Sequence, residues 1–169
     1  MQILVTERLV LRELTLSDAD FIHKLLNEPS FIRFIGDRNI RSLDDAENYL
    51  LKGPLASYQR HGFGLYLVEE KSNGASLGIC GLIKRDTLPD VDIGYAFLPE
   101  FWLRGYAFEA AAAVMNYGKA VLKLNRIVAI VTPDNARSIR VLNKLGLSFE
   151  RTIIWPEDGA ELQLYATSI

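Results

Sequence analysis

One segment combines a helix start with the small residues that an anion site needs. Residues 97–110 run from a predicted strand through a short loop into an alanine-rich helix. A helix N-terminus exposes amide donors and the positive end of the helix dipole, so it can hold a phosphate on backbone N–H groups. Gly105 and Ala107 keep side chains away from a ligand, and Arg104 adds a forked cationic donor. The segment predicts a phosphate or pyrophosphate site, although one glycine before a helix is also typical of an ordinary tight turn.

Two well-known phosphate motifs are missing from the sequence. It contains neither G-x-G-x-x-G nor G-x-x-x-x-G-K-[ST]. A dinucleotide-binding fold and a nucleoside triphosphatase therefore lose their main support.

Composition and cysteine content exclude further classes of protein. The chain has 169 residues, of which 49% are hydrophobic and 24% charged, as in one ordinary globular domain. Its 19 Lys and Arg against 21 Asp and Glu give a net charge of −2, which argues against a nucleic-acid partner. The lone Cys80 excludes an internal disulfide and a cysteine pair for zinc, and neither His23 nor His61 has metal-ligand spacing. We therefore expect no metal.

The sequence also bears on location. The N-terminal apolar run spans only residues 3–5 before Glu7 and Arg8 interrupt it, so no secretory signal is predicted. No run of about 18 apolar residues, the length of a membrane span, occurs anywhere. We expect a cytoplasmic protein without a membrane partner.

Hydrophobic periodicity places the loop in a mixed sheet. Seven strands are predicted, over residues 8–14, 63–69, 77–84, 91–97, 126–132, 147–154 and 161–166. Four helices are predicted, over residues 17–27, 42–51, 106–122 and 135–145, the second breaking around Gly53 and Pro54. Short turns favour antiparallel pairs, and a helix between two strands favours one parallel crossover. The predicted fold class is α/β (α+β), a single domain over residues 1–169 with a mixed, mostly antiparallel sheet of about seven strands flanked by about four helices.

Three segments together resemble the GNAT superfamily of acyl-CoA-dependent N-acyltransferases. Residues 6–14 followed by Asp18 are similar to the opening of its ribosomal-protein N-terminal acetyltransferase branch. Residues 92–98 and 102–110 are similar to its central strand and acetyl-CoA loop, and residues 135–147 to its second motif. Their order and spacing also agree, so the resemblance covers most of the chain. It implies that the cofactor lies where the strands at residues 91–97 and 126–132 separate.

The resemblance assigns residues to acetyl-CoA. It implies that loop amides bind the pyrophosphate, that one strand end pairs with pantetheine, and that two residues of the second motif contact the cofactor. The residues so assigned are Phe97, Leu98, Leu103, Arg104, Gly105, Tyr106, Ala107, Asn135 and Ser138. The chain departs from the pattern twice. Trp102 stands where the superfamily has Gln or Arg, and Leu103 stands where the branch has glycine after this tryptophan.

Two residues are candidates for proton transfer. Many superfamily members use a tyrosine of the second-motif helix as the acid, but Asn143 occupies roughly that position, which leaves Ser138 near the thioester sulfur. Asp92 precedes Ile-Gly-Tyr on the central strand, where the superfamily sometimes carries a base. Structural alternatives stay open, because Ser138 and Asn135 also suit a helix start and Asp92 suits a strand start.

The implied activity is N-acetyl transfer from acetyl-CoA directly to a primary amine in a ternary complex. Cys80 lies in an apolar strand, so it is predicted to be a buried hydrophobe rather than a nucleophile. The acceptor is left open between a protein N-terminal α-amine and a small amine, and the protein is expected to be a monomer or homodimer. The alternative is a non-catalytic acyl-CoA-binding or sensor module, favoured by the missing helix tyrosine.

Overall fold

A mixed eight-stranded sheet organises the computed structural model, which describes residues 1–167. Its strands are β1 Gln2–Val5, β2 Leu9–Glu13, β3 Leu65–Glu70, β4 Ser76–Ile83, β5 Val91–Phe97, β6 Ile127–Val131, β7 Ser148–Ile154 and β8 Glu161–Ala166. They lie in the order β1-β2-β3-β4-β5-β6-β8-β7, and every neighbouring pair is antiparallel except β5 and β6. The predicted fold class is confirmed, with β7 and β8 forming the expected closing hairpin.

Helices cover both faces of this sheet. They are α1 Ala19–Leu26, α2 Pro29–Phe34, α3 Leu43–Leu50, α4 Ala56–His61, α5 Tyr106–Ala120 and α6 Ala136–Lys144. No helix within residues 1–167 is long and apolar enough to cross a membrane. Across the same residues, no group of three or more His, Cys, Asp or Glu side chains could hold a metal ion.

The predicted break in the second helix is wrong. A π-helical turn, Leu51–Leu55, joins α3 to α4 and contains Pro54. Proline lacks the N–H that the regular i→i−4 pattern requires, but a π turn already interrupts that pattern and so accommodates the ring. The helical rod therefore continues to Gly62, whose left-handed conformation (φ 80°) ends it.

Two short elements were not among the predicted ones. The edge strand β1 has only four residues, too few to show a period of two. The six-residue α2 carries Pro29 at its first turn, where a missing N–H leaves no helical bond unmade. Pro29, which was predicted only to end the first helix, therefore also begins α2.

The two faces bury separate apolar layers. The alanine-rich side of α5 packs on one face, where Ala110 and Val114 join the same cluster as Cys80 and Leu82 of β4. The helices α1 to α4 cover the other face, where Ile22 belongs to a second cluster. Cys80 is free and buried, as predicted, and burial raises the pKa of its thiol.

The sheet splits between its two parallel strands. β5 and β6 pair only at Val91 with Ile127 and at Asp92 with Val128. Beyond Asp92, β5 stays paired with β4 and β6 stays paired with β8. The strand separation that the resemblance implied is therefore present, and it leaves one edge of β5 without a strand partner within residues 1–167.

Candidate active site

The separation of β5 and β6 belongs to a large cleft. Its volume is about 1280 Å³, and it extends from the start of α5 to the turn between β7 and β8. Residues alternate in direction along β5. Odd-numbered Ile93 and Phe97 join the layer under α5, and even-numbered Ala96 joins the layer under α1 to α4. The cleft is therefore bounded by two different sets of helices, one on each face of the sheet.

A row of backbone donors lies at the α5 end of the cleft. In the part of the chain that the structure describes, the N–H groups of residues 103–108 have no protein acceptor. Leu103 and Gly105 are both left-handed, with φ of 64° and 80°. Alternation of left-handed with other conformations forms the concave backbone surfaces that bind anions, and the first turn of α5 adds its positive dipole end. This geometry fits a pyrophosphate group.

Leu103 keeps the backbone conformation that glycine adopts without strain. Leu103 is 88% exposed and lines the cleft, so its side chain packs against little of the protein. A non-glycine residue in this conformation costs about 1–2 kcal/mol. The departure from the branch pattern therefore adds local strain but keeps the left-handed backbone.

An ion pair between the turn that joins β1 to β2 and helix α5 braces this loop. Glu109 accepts from Thr6 Oγ1 at 2.5 Å, from the N–H of Arg8 at 3.0 Å and from Arg8 Nε at 2.7 Å. Arg8 Nη1 also donates to the carbonyl of Arg104 at 2.9 Å, and its guanidinium lies 4.4 Å from the Tyr106 ring centroid. Burial alone would raise the pKa of Glu109, but the bonds from Thr6 and Arg8 lower it. Two of the segments that carry the family resemblance, residues 6–14 and the segment that contains Glu109, are therefore in direct contact.

Trp102 fastens the loop to β5 and α6. Its indole N–H donates to the carbonyl of Phe97 at 2.9 Å, and the guanidinium of Arg137 lies 3.4 Å from its ring centroid. A second cation–π contact joins Lys144 to Phe108 at 4.2 Å. Trp102 therefore joins the loop to β5 by a hydrogen bond and to α6 by a cation–π contact.

The strand end assigned to pantetheine is already engaged in part. The carbonyl of Phe97 accepts from Trp102, the N–H of Leu98 donates to Leu77 at 3.0 Å, and the carbonyl of Leu98 accepts from Phe101 at 3.0 Å. Pairing of Phe97 and Leu98 with pantetheine stays a prediction. The unpaired edge of β5 extends further back, over residues 93–96.

Ser138 lies beside a tyrosine that sequence reasoning missed. Tyr95 Oη lies 2.9 Å from Ser138 Oγ and also donates to the Ser138 carbonyl at 3.3 Å. Burial raises the pKa of Tyr95 to about 12, against a lowering effect of the hydrogen bond with Ser138. Period two along β5 was the available signal, because it directs Tyr95 toward α6. Asn135 accepts from the N–H of Ser138 at 3.3 Å, so it caps α6, and its contact with a cofactor stays a prediction.

A second missed residue ends β6. The Thr132 hydroxyl lines the cleft, and it is buried without a hydrogen-bond partner among the described residues. Buried hydroxyls normally bond to protein, water or ligand. Thr132 therefore offers one more polar contact beside the unpaired edge of β5.

Asp92 lies on the other face, where β5 still pairs with β6. It is 1% exposed, and its two oxygens accept from Arg85 Nε at 2.9 Å and from Arg85 Nη2 at 3.4 Å. Burial raises the pKa of Asp92, and the Arg85 charge opposes this shift. The structure thus brings Ser138, Asn135 and the donor loop to one face and leaves Asp92 on the opposite one. A base role for Asp92 stays a prediction.

Comparisons with known proteins agree with this geometry. A family model described as "Acetyltransferase (GNAT) domain" matches residues 8–148. The uncharacterized N-acetyltransferase YoaA of Bacillus subtilis is 31% identical over 150 residues, which are 88% of this chain and 84% of YoaA. The spermidine N(1)-acetyltransferase of Escherichia coli K12 is 26% identical over 141 residues, which are 83% of this chain and 73% of that enzyme.

A solved structure shares the whole fold. RimL, a ribosomal L7/L12 α-N-protein acetyltransferase solved with coenzyme A, superposes with a TM-score of 0.86 at 20% identity, covering 100% of this chain and 98% of RimL. The family match and the relatives lead to one conclusion. This chain belongs to the GNAT acetyltransferase family and is an acetyl-CoA-dependent acyltransferase.

Proposed function

We propose that the protein transfers acetyl from acetyl-CoA directly to a primary amine held in the same cleft, through a ternary complex. The observation that carries this proposal is the row of unpaired N–H groups at residues 103–108, which opens onto the cleft between β5 and β6. A pyrophosphate matches these donors in charge and geometry. The unpaired edge of β5 offers further backbone groups to an extended amide-bearing arm.

The chain's own residues divide the chemistry between the two faces. When bound, acetyl-CoA supplies a thioester carbon open to attack by a neutral amine and a sulfur that leaves as the thiol. Ser138 Oγ donates a proton toward that sulfur, and Tyr95 holds the hydroxyl in place through its 2.9 Å contact. Because the raised pKa keeps Tyr95 neutral, its phenol can return a proton to Ser138.

Asp92 remains the candidate base in this proposal. It accepts the amine proton, directly or through a water molecule, from the face of β5 opposite to Ser138. Its raised pKa favours that role, since a carboxylate in bulk water is too weak a base for an amine. Arg85 orients the carboxylate by donating to both oxygens.

The finer assignment of the acceptor rests on relatives. Trp102 and residues 6–14 support the ribosomal-protein N-terminal acetyltransferase branch. One relative is named for spermidine and a structural neighbour for a ribosomal protein. We therefore propose a protein N-terminal α-amine or a small amine as the acceptor.

Coenzyme A binding and thiol release test the proposal. Calorimetry should show CoA binding to the wild-type protein, and a panel of N-terminal peptides and small amines should release free thiol from acetyl-CoA. Gly105→Arg and Ala107→Asp should abolish CoA binding while the circular dichroism spectrum is kept. Gly146→Arg is the matched control, because Gly146 is also left-handed (φ 93°) but lies outside the cleft. Full CoA binding by Gly105→Arg would refute the loop assignment, and CoA binding without thiol release would favour the sensor module.

A further inference from the structure

Basic side chains gather at the α3–α4 end of the cleft, away from the donor loop. Five side chains of this kind line it, namely Arg38, Lys52, Arg60, His61 and Arg85. All except Arg85 are exposed. This end lies on the face of the sheet that also carries Asp92, the face assigned above to the acceptor.

Arg85 is set in position before any ligand arrives. Its Nε and one Nη2 hydrogen face the buried Asp92, and its guanidinium lies 5.6 Å from the ring centroid of Trp155. Its other N–H groups have no protein acceptor within residues 1–167, and its side chain is 26% exposed. A guanidinium fixed in this way presents its remaining donors to a carboxylate or phosphate at little entropic cost.

Arg38 supplies a second cationic side chain on the lining of the same cleft. Its neighbours Arg33 and Arg41 pair with Asp134 and Asp37, but Arg38 has no carboxylate partner in the described part of the chain. The charges of Arg38 and Arg85 both lower the pKa of Tyr49, although burial raises it overall. Tyr49 lines the same cleft as both guanidinium groups.

Few carboxylates at this end remain to balance these cations. Asp37 is paired with Arg41, and Asp92 with Arg85. Asp158 accepts from the N–H of Ala160 within the β7–β8 turn. Asp86 and Glu157 remain exposed on the lining, and the half-buried Glu28 also lines the cleft without an ion-pair partner among the described residues. Such a surface disfavours a polycation and favours a ligand with an anionic group, whose amine can turn toward the remaining carboxylates.

We infer that the acceptor is a small primary amine carrying a carboxylate or phosphate, whose anionic oxygens bind Arg85 and Arg38 beside the Tyr49 hydroxyl. This inference rests on the proposed function and narrows its acceptor class. In this arrangement Arg85 has two tasks, because it orients Asp92 with one set of N–H groups and holds the acceptor with the others.

Matched acceptors test the inference. The pairs are 4-aminobutyrate with 4-aminobutanamide, alanylalanine with alanylalaninamide, and O-phosphoethanolamine with ethanolamine, and putrescine represents the polycations. We expect kcat/KM to be at least about tenfold higher for an anionic member than for its neutral partner, and lowest for putrescine. Equal values within every pair, or a preference for putrescine, would overturn the inference. So would a peptide with acidic residues after its N-terminus that outperforms every small amine.

Substitutions assign the preference to particular residues. Arg38→Gln should raise KM for the anionic acceptors about five- to tenfold and leave the neutral ones unchanged. Arg85→Lys should lower kcat for every acceptor, because Arg85 also orients Asp92, and should in addition raise KM for the anionic acceptors more than for the neutral ones. It is safer than Arg85→Gln, which leaves the buried Asp92 unpaired. Arg151→Gln is the matched control, because Arg151 is 55% exposed and lies outside the cleft. An unchanged preference in both Arg38→Gln and Arg85→Lys contradicts the inference.

A binding measurement separates this inference from the proposed function. Calorimetry of O-phosphoethanolamine and ethanolamine against the CoA-saturated protein needs no turnover. Selective binding of the phosphorylated amine, weakened in Arg38→Gln, supports the anion site even if no amine is acetylated, in which case only the proposed function fails. Acetylation of neutral and anionic amines at equal rates leaves the function standing and removes the inference.

Discussion

The two ends of the cleft differ in the chemical groups that they offer to a ligand. The α5 end offers backbone N–H groups of one continuous segment, residues 103–108, braced by Arg8 and Glu109. The α3–α4 end offers side chains from separate elements, among them Arg38, Tyr49 and Arg85. A backbone site depends on chain conformation and tolerates changes of side chain, whereas a side-chain site depends on every residue that forms it. The difference leads us to expect that the first end is shared within the family and that the second, as proposed above, sets the choice of acceptor.

The largest expected effect concerns the side-chain end. Asp92→Asn should lower kcat about 10²–10⁴-fold, the range for a lost general base. A base must be unprotonated, so the wild-type rate should fall as the pH drops through the raised pKa of Asp92, and the variant should lose this acid limb. The measurement is kcat against pH with a neutral amine. A variant that keeps the limb and only raises KM for anionic acceptors would show that Asp92 acts through Arg85 alone.

The next effect lies on the opposite face. Ser138→Ala should lower kcat about 10²-fold while the affinity for CoA stays within twofold, because the hydroxyl acts on the leaving group. Tyr95→Phe should give a smaller loss, about tenfold, since the phenol acts only through Ser138, which it positions and to which it returns a proton. The matched control is Tyr117→Phe, on α5 and outside the cleft. Full turnover by Ser138→Ala removes it from the acid role.

Loss of the ion pair between Arg8 and Glu109, which braces the α5 end of the cleft, should have a smaller effect. Glu109→Gln should reduce the free energy of unfolding by about 1 kcal/mol after allowance for solvent screening, and weaken CoA binding a few-fold. The lowered pKa of Glu109 means that its contribution is present above the ordinary value of 4.5 and is lost as the pH falls through the folded-state pKa. Urea unfolding at pH 7 and at a series of pH values below 4.5 should therefore show the difference between wild type and variant shrinking as the pH falls. A difference that stays constant over the whole series would contradict an ionic brace.

The smallest expected effect tests whether the α5 end binds its ligand through backbone N–H groups alone. Leu103→Gly relieves the left-handed strain but makes the unfolded chain more flexible, so the free energy of unfolding should change by less than about 1 kcal/mol. CoA affinity should stay within twofold, because the side chain points to solvent. Thermal unfolding and calorimetry check both values, with Leu103→Ala as the strained control. A tenfold loss of affinity would show that the leucine side chain itself contacts the ligand.

The same difference explains how much the sequence could predict. The bounds of β5 and β8 match the predictions, and the loop at Gly105 was found because its residues are adjacent in the chain. The contact between Tyr95 and Ser138 was not predicted, because 43 residues separate them in the chain. The periodicity of a single strand or helix carries no information about such a contact.

Other features escaped for related reasons. The π turn at Pro54 was missed because proline ordinarily ends a helix, and only the wider turn makes it tolerable. The cleft lining that Arg38, Tyr49 and Arg85 share exists only after separate segments of the chain pack together. The loop of N–H donors could therefore be predicted from residues that are adjacent in the chain. The contacts between residues far apart in the chain required the folded structure.

The alternation of side chains along β5 has a consequence for how the two faces of the sheet can change. Even-numbered residues face α1 to α4 and odd-numbered ones face α5 and α6, so one strand separates two sets of neighbours. Substitutions in α1 to α4 on the proposed acceptor face therefore need not move the N–H donors at the start of α5. We expect that a change of acceptor can be engineered on that face alone, with CoA binding kept.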